Sequence, residues 1–106
     1  MDTQSAAARF SSLGHELRLG LFRLLVQAGG EGLAVGELQS MLDRPASTVA
    51  FHLRELVDAG LVKQDKEGRV IRCRADFHAL NELLLYLKHD CCRGVALTAF
   101  STRRTA

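Results

Sequence analysis

The stretch from Pro45 to Val62, Pro-Ala-Ser-Thr-Val-Ala-Phe-His-Leu-Arg-Glu-Leu-Val-Asp-Ala-Gly-Leu-Val, constrains this chain more than any other. Val49, Leu53, Leu56 and Val57 recur at helical spacing and make one apolar stripe. Ser47, Phe51, Arg54 and Asp58 fall on the opposite side. Pro45 stands just before the helix or in its first turn, where a missing N–H costs little. Gly60 takes the place at which a left-handed residue usually closes a helix. One face is committed to a core, and the other opens with two small hydroxyls, Ser47 and Thr48. That is the shape of a helix whose N-terminal half enters a DNA major groove.

The flanking chain supplies partners for such a helix. At 106 residues the sequence is long enough for one domain with a modest core. Ala6 to Ser12 reads as a short helix with Ala7, Phe10 and Leu13 on one side. His15 to Ala28 reads as a stronger one, with Leu17, Leu21, Leu24 and Leu25 sharing a face and Gly29-Gly30 stopping it. Gly29 to Gly32 reads as a flexible turn. Val35 to Leu42 is the next helix, and Asp43-Arg44 joins it tightly to the recognition helix, which makes a helix-turn-helix. Leu61 to Lys66 and Arg69 to Ala75 read as two strands around Glu67-Gly68, a hairpin in which Ile71 and Cys73 face inward. This hairpin is the wing.

Net charge is only +2, so the placement of charge matters more than its sum. Between Leu61 and Ala75 five basic residues stand against Asp65 and Glu67. Lys66, Arg69 and Arg72 on the wing, with Arg44 before the recognition helix, are the expected phosphate contacts. Ser47, Thr48, Phe51 and His52 are the expected base readers, Phe51 through apolar contact only. His52 also reads as a helix-packing residue at the edge of the apolar stripe. No catalytic grouping is expected, because His15, His52, His78 and His89 have no Ser or Cys partner in a Gly-rich turn.

Asp76 to about Arg93 reads as the last helix, with Asp76 as N-cap. Phe77, Leu80, Leu84, Leu87 and Cys91 are spaced 3, 4, 3, 4, a coiled-coil seam, and Leu83 and Leu85 add a second apolar side. So small a domain has little core left to cover that surface, so a homodimer is expected. Residues 1–94 are the expected domain and 95–106 a flexible tail. No apolar run approaches a membrane span, and the N-terminus lacks the basic-then-apolar order of a signal peptide. Three cysteines without an export signal read as free thiols, so a cytoplasmic protein is expected.

Thr48-Val-Ala-Phe-His-Leu-Arg-Glu-Leu56, then Ala59-Gly-Leu-Val62, resembles the recognition helix and following strand of the ArsR/SmtB repressors. Leu13-Gly-His-Glu-Leu-Arg-Leu19 resembles an earlier helix of the same family, and the likeness runs from about Ala7 to Gly94. It implies a mainly α winged helix-turn-helix that dimerises through its N- and C-terminal helices. It also implies a repressor that leaves operator DNA when a metal or metalloid binds. Ala50 stands where many members have a Ser, which removes one DNA contact of the family. In one branch paired cysteines on the first helix of the helix-turn-helix bind arsenite; Leu33 to Gln39 contains none.

Ala75 to Gly94 resembles the last helix of arsenic-responsive members that end in Cys-Cys and a Gly. By that resemblance Cys91 and Cys92 bind arsenite or methylarsenite, and trivalent arsenic suits thiolates as a soft centre. Many such members have a third Cys further on, and this chain has none after Cys92. The third position is open to Cys73, a thiol of the other protomer, an external thiol, or a methyl group already on arsenic, as in two-cysteine members. A buried structural role is the other reading of Cys73. A competing set, Asp76, His78, His89 and Cys92, matches the spacing of the family's zinc site between the last helices of a dimer. Redox control by adjacent thiols is the third reading.

Overall fold

The computed structural model describes residues 1–96. Its elements follow as α1 (Thr3–Leu13), α2 (Glu16–Ala28), β1 (Leu33–Ala34), α3 (Val35–Leu42), α4 (Ala46–Asp58), β2 (Val62–Glu67), β3 (Val70–Ala75) and α5 (Phe77–Lys88). Residues 97–106, most of the expected tail, lie outside the described residues. The three strands form one antiparallel sheet in the order β1-β3-β2.

Aspartates start the first and last helices. The Asp2 carboxylate accepts from the Ser5 N–H at 2.7 Å at the head of α1. Asp76 accepts from the Ala79 N–H at 3.0 Å at the head of α5. Glu37 reaches back to the Ala34 N–H at 2.9 Å and fixes the entry to α3. Pro45 is the N-cap of α4, and its carbonyl accepts from the Thr48 and Val49 N–H groups. Asp43, left-handed at φ 50°, closes α3 and turns the chain into α4 within three residues.

The core is the junction of α2, α3 and α4 with the sheet. Leu21, Leu25, Leu38, Val49, Leu53, Leu56 and Leu61 are fully enclosed, and Cys73 joins them from β3. α1 rests on the C-terminal helix through Arg9, whose guanidinium donates to the Ala79 carbonyl and pairs with Glu82 at 3.1 Å. Thr3 and Tyr86 meet through their hydroxyls at the other end of the same contact.

Four expectations are corrected. Gly29–Glu31 is a turn of 3-10 helix rather than a flexible loop, and β1 follows it. The wing turn is Gly68-Arg69, one residue later than expected, because β2 keeps pairing through Glu67↔Val70. Ile71 is exposed rather than inward, since this part of the hairpin reaches past the core. α5 stops at Lys88 instead of Arg93. Past Lys88 no side chain reaches the core, and Asp and Cys are weak helix formers, so burial no longer holds the helical turn.

The two faces of α5 have separate duties. Ala79 and Leu83 pack inside the protomer, which moves Leu83 from the expected second side into the core region. Leu84, Leu85 and Leu87 are 49%, 69% and 65% exposed and leave the outer side of α5 apolar.

Gly32 is the tightest backbone position. It has φ +64°, and a Cβ there would sit 2.1 Å from the Cys73 carbonyl oxygen. Gly68 has nearly the same φ, +63°, but faces open space. Gly32→Ala should therefore destabilise by well over the roughly 1–3 kcal/mol of a strained backbone, and Gly68→Ala by no more than that strain. Urea unfolding of the two variants side by side checks this.

Candidate nucleic-acid interface and sensor site

Burial of Val49, Leu53 and Leu56 turns the opposite face of α4 to solvent. Ser47, Ala50, Phe51, Arg54 and Asp58 are exposed along it, and Phe51 is 56% exposed, an aromatic ring with no core duty. Thr48 is half-buried at the edge of this face. Arg44 stands exposed just before the helix. Ser47, Thr48 and Phe51 thus share one end of α4, as expected.

His52 does not join them. It is 7% exposed and faces α2, where Arg18 lies 3.1 Å from its Nδ1. The His15 ring is 4.6 Å away, centroid to centroid, and Phe51 meets the imidazole edge-on. Arg18 also donates through Nε to the Ser12 carbonyl, which locks the arrangement. The packing role, not base reading, is what the structure assigns to His52. A side chain one residue after Phe51 points about 100° away from it, and here that direction is the inter-helix seam. The signal was in the sequence: His52 lies beside Val49, Leu53 and Leu56 on the helical wheel.

Burial holds the His52 imidazole below its usual pKa, with the nearby His15 and Arg18 charges acting in the same direction and Glu55 against it. The unfolded chain therefore takes up a proton at a pH where the folded one resists it. Stability should be at its full value above the free-histidine pKa of about 6.5 and fall as pH drops through it. Urea midpoints at pH 7.5 and 5.5 should separate in the wild type and draw together in His52→Gln.

The wing divides its cations into tied and free. Arg72 pairs with Glu67 at 2.9 Å and donates to the Glu31 carbonyl. Arg74 is held by Asp65, by the second oxygen of Glu67 and by the Gly30 carbonyl. The two guanidiniums hold the Glu67 carboxyl below its usual range. Arg72, expected among the phosphate contacts, is thus also part of the frame of the wing. Lys66 and Arg69 are exposed and have no ion pair among the described residues. Arg69→Ala should weaken binding to every duplex alike and reduce the salt slope by about one phosphate. Arg72→Ala should do less to the slope and more to the melting temperature. Anisotropy titrations across salt, with thermal melts, separate the two.

The thiols beyond α5 come together. Cys91 Sγ lies 3.3 Å from Cys92 Sγ, and both side chains are exposed. The turn is made locally: Asp90 and Cys92 have φ 60° and 63°, and Asp90 bonds Arg93 at 2.8 Å and His89 at 3.1 Å. A left-handed Cys is uncommon and strained, as residues at functional sites often are. Cys73 is not near this group in character. It is fully buried, receives the Gln64 amide at 3.5 Å, and burial pushes its thiol pKa up.

The zinc-type set is not gathered within one protomer. Asp76 and His78 start α5, while His89 and Cys92 lie past its other end, about 18 Å along a 12-residue helix. Asp76 is already engaged by the Ala79 N–H and by Lys63 at 3.7 Å. Among the described residues no three His, Cys, Asp or Glu side chains converge on a metal-sized point.

The chain matches the family described as "Helix-turn-helix domain" over residues 13–65, from α2 through most of β2. It is 28% identical over 89 residues to the HTH-type transcriptional regulator YgaV of Escherichia coli K12, covering 84% of this chain and 88% of that one. It is 42% identical over 60 residues to the uncharacterized HTH-type regulator MJ1398 of Methanocaldococcus jannaschii; that match covers 56% of this chain and only 15% of the relative's length. Among solved structures, an ArsR-like transcriptional regulator from Rhodococcus sp. RHA1 superposes with TM-score 0.70 at 28% identity, covering 96% and 87% of the two chains. The homodimeric winged helix-turn-helix DNA-binding domain Mb0332 of Mycobacterium bovis gives 0.64 at 25%, covering 84% and 82%.

The chain belongs to this helix-turn-helix family. Within it, the architecture and the relatives are those of ArsR-type transcriptional regulators. No described helix is long and apolar enough to cross a membrane.

Proposed function

We propose that this protein is a dimeric repressor that leaves its operator when trivalent arsenic, as arsenite or methylarsenite, bridges Cys91 and Cys92. The observation that carries the reading is the pair of exposed sulfurs 3.3 Å apart. Two thiolate bonds of about 2.3 Å that meet near a right angle, as at a pyramidal centre, span about 3.3 Å, whereas a tetrahedral angle needs about 3.8 Å. The pair is therefore set for a pyramidal soft centre without rearrangement. Two As–O bonds give way to two As–S bonds, the thiol protons leave with the displaced oxygens, and two waters are released. One position on arsenic remains. Neither Cys73, which is enclosed, nor a third converging donor among the described residues fills it. That favours an arsenical that already has one methyl group.

Dimerisation supports the same reading. Leu84, Leu85 and Leu87 form an apolar strip on α5 that a second copy can bury, and the Mycobacterium bovis neighbour is a homodimer. The thiol turn begins one residue after that strip-bearing helix ends. Tying Cys91 to Cys92 resets the end of α5, and with it the spacing of the two recognition helices across the dimer. A coupling of about 1–3 kcal/mol lowers operator affinity about 5–150-fold, enough to release promoter DNA.

Operator release is followed by fluorescence anisotropy while arsenite, methylarsenite and Zn(II) are titrated in parallel. The expected result is release by an arsenical, lost in Cys91→Ser with Cys92→Ser, with DNA affinity in the absence of ligand unchanged. Release by Zn(II) alone would move the sensor to Asp76, His78, His89 and Cys92. Release only under oxidants or persulfide would make the thiols a redox sensor.

A further inference from the structure

The outward line of α4 contains one strong donor that the phosphate and base contacts described above do not include. Arg54 is exposed in the middle of the helix and makes no hydrogen bond or ion pair among the described residues. At about 100° per residue it falls about 20° from Ser47 on the helical wheel, with Phe51 between them along the axis. It stands about 10 Å further along than Ser47, within the span of a helix lying in a groove about 12 Å wide. The free cations Arg44, Lys66 and Arg69 belong to the flanks, before the helix and on the wing. Arg54 alone occupies the centre line.

We infer that Arg54 is the principal specificity-determining residue and reads a guanine, so that each operator half-site contains one G·C pair at the position it reaches. The inference rests on α4 being the recognition helix. The chemistry of the line leaves this task to Arg54. Ser47 and Thr48 have hydroxyls that both donate and accept, so they do not choose one base. Ala50 and Phe51 offer only apolar contact. A guanidinium offers donors alone, in a planar fork, and only guanine presents two acceptors, O6 and N7, on its major-groove edge. A phosphate role is disfavoured by Asp58, which lies on the same line one turn further and repels the DNA backbone there.

The test is selection of duplexes from a randomised pool by the wild-type protein, then affinity for the selected operator and its single-base variants. One G·C pair per half-site should prove decisive, with replacement lowering wild-type affinity about 5–150-fold. Arg54→Ala should bind all four versions of that pair alike, and Arg54→Lys should keep a weakened guanine preference, because lysine still donates to O6 and N7 but lacks the planar fork. Their melting curves should overlay the wild type, since Arg54 supports nothing in the fold. If Arg54→Ala keeps the guanine preference, or weakens binding to all sequences equally and flattens the salt slope, the assignment is overturned. A wild-type protein that selects no sequence at all would instead overturn the recognition-helix reading beneath it.

Discussion

The seating of α4 on α2 and the sheet decides everything the outer surface does. Val49, Leu53 and Leu56 vanish into the core, each worth roughly 1.5–3 kcal/mol on full burial. With that stripe fixed, rotation of the helix about its own axis is fixed, and so is the direction of Ser47, Phe51 and Arg54. The His52–Arg18 contact adds a polar pin to the same seam. It is directional where the leucines are not. An outward face made of small and exposed groups contributes little to stability itself. Its accuracy is inherited from the buried face behind it.

The wing solves a different problem. A hairpin extending from a small core has few apolar contacts to keep it straight. Glu67 bridges Arg72 and Arg74 from the end of β2, and Asp65 supports Arg74, so four charged side chains brace the two strands. This lowers the free positive charge on the wing to Lys66 and Arg69 and explains how a chain with net charge +2 still presents a basic edge. Exposed ion pairs are individually weak, but here they form a network across two strands.

Periodic segments were legible in the sequence, and features set by single contacts were not. α3 was expected at its observed bounds, because an apolar face and a tight exit are both local signals. The recognition helix and the wing followed for the same reason, with shifts of one or two residues at their ends. β1 was missed, since two residues have no period, and only the pairing of Leu33 with Cys73 and of Ala34 with Arg72 makes them a strand. The end of α5 was misread because Cys91 continued the seam spacing on paper, while the fold offers nothing for that turn to pack against. The packing of His52 was open to the helical wheel, but its Arg18 partner was not, and the ties of Arg72 depended on Glu31, distant in sequence, besides the nearby Glu67. An ideal helix would have turned Cys91 and Cys92 about 100° apart; two left-handed residues, Asp90 and Cys92, bring them together.

The placement of those thiols past Lys88 has a consequence for how such a protein can change. The turn has no side chain in the core, and its side-chain hydrogen bonds and ion pairs stay within residues 89–93 among the described residues. Substitutions there are free of the packing demands that restrain Leu53 or Gly32. On the sensing role proposed for Cys91 and Cys92, a lineage could exchange one effector chemistry for another at this end while α4 and the wing stayed fixed. On the same proposal a biosensor designer can diversify residues 89–94 as a cassette and keep a single reporter promoter throughout.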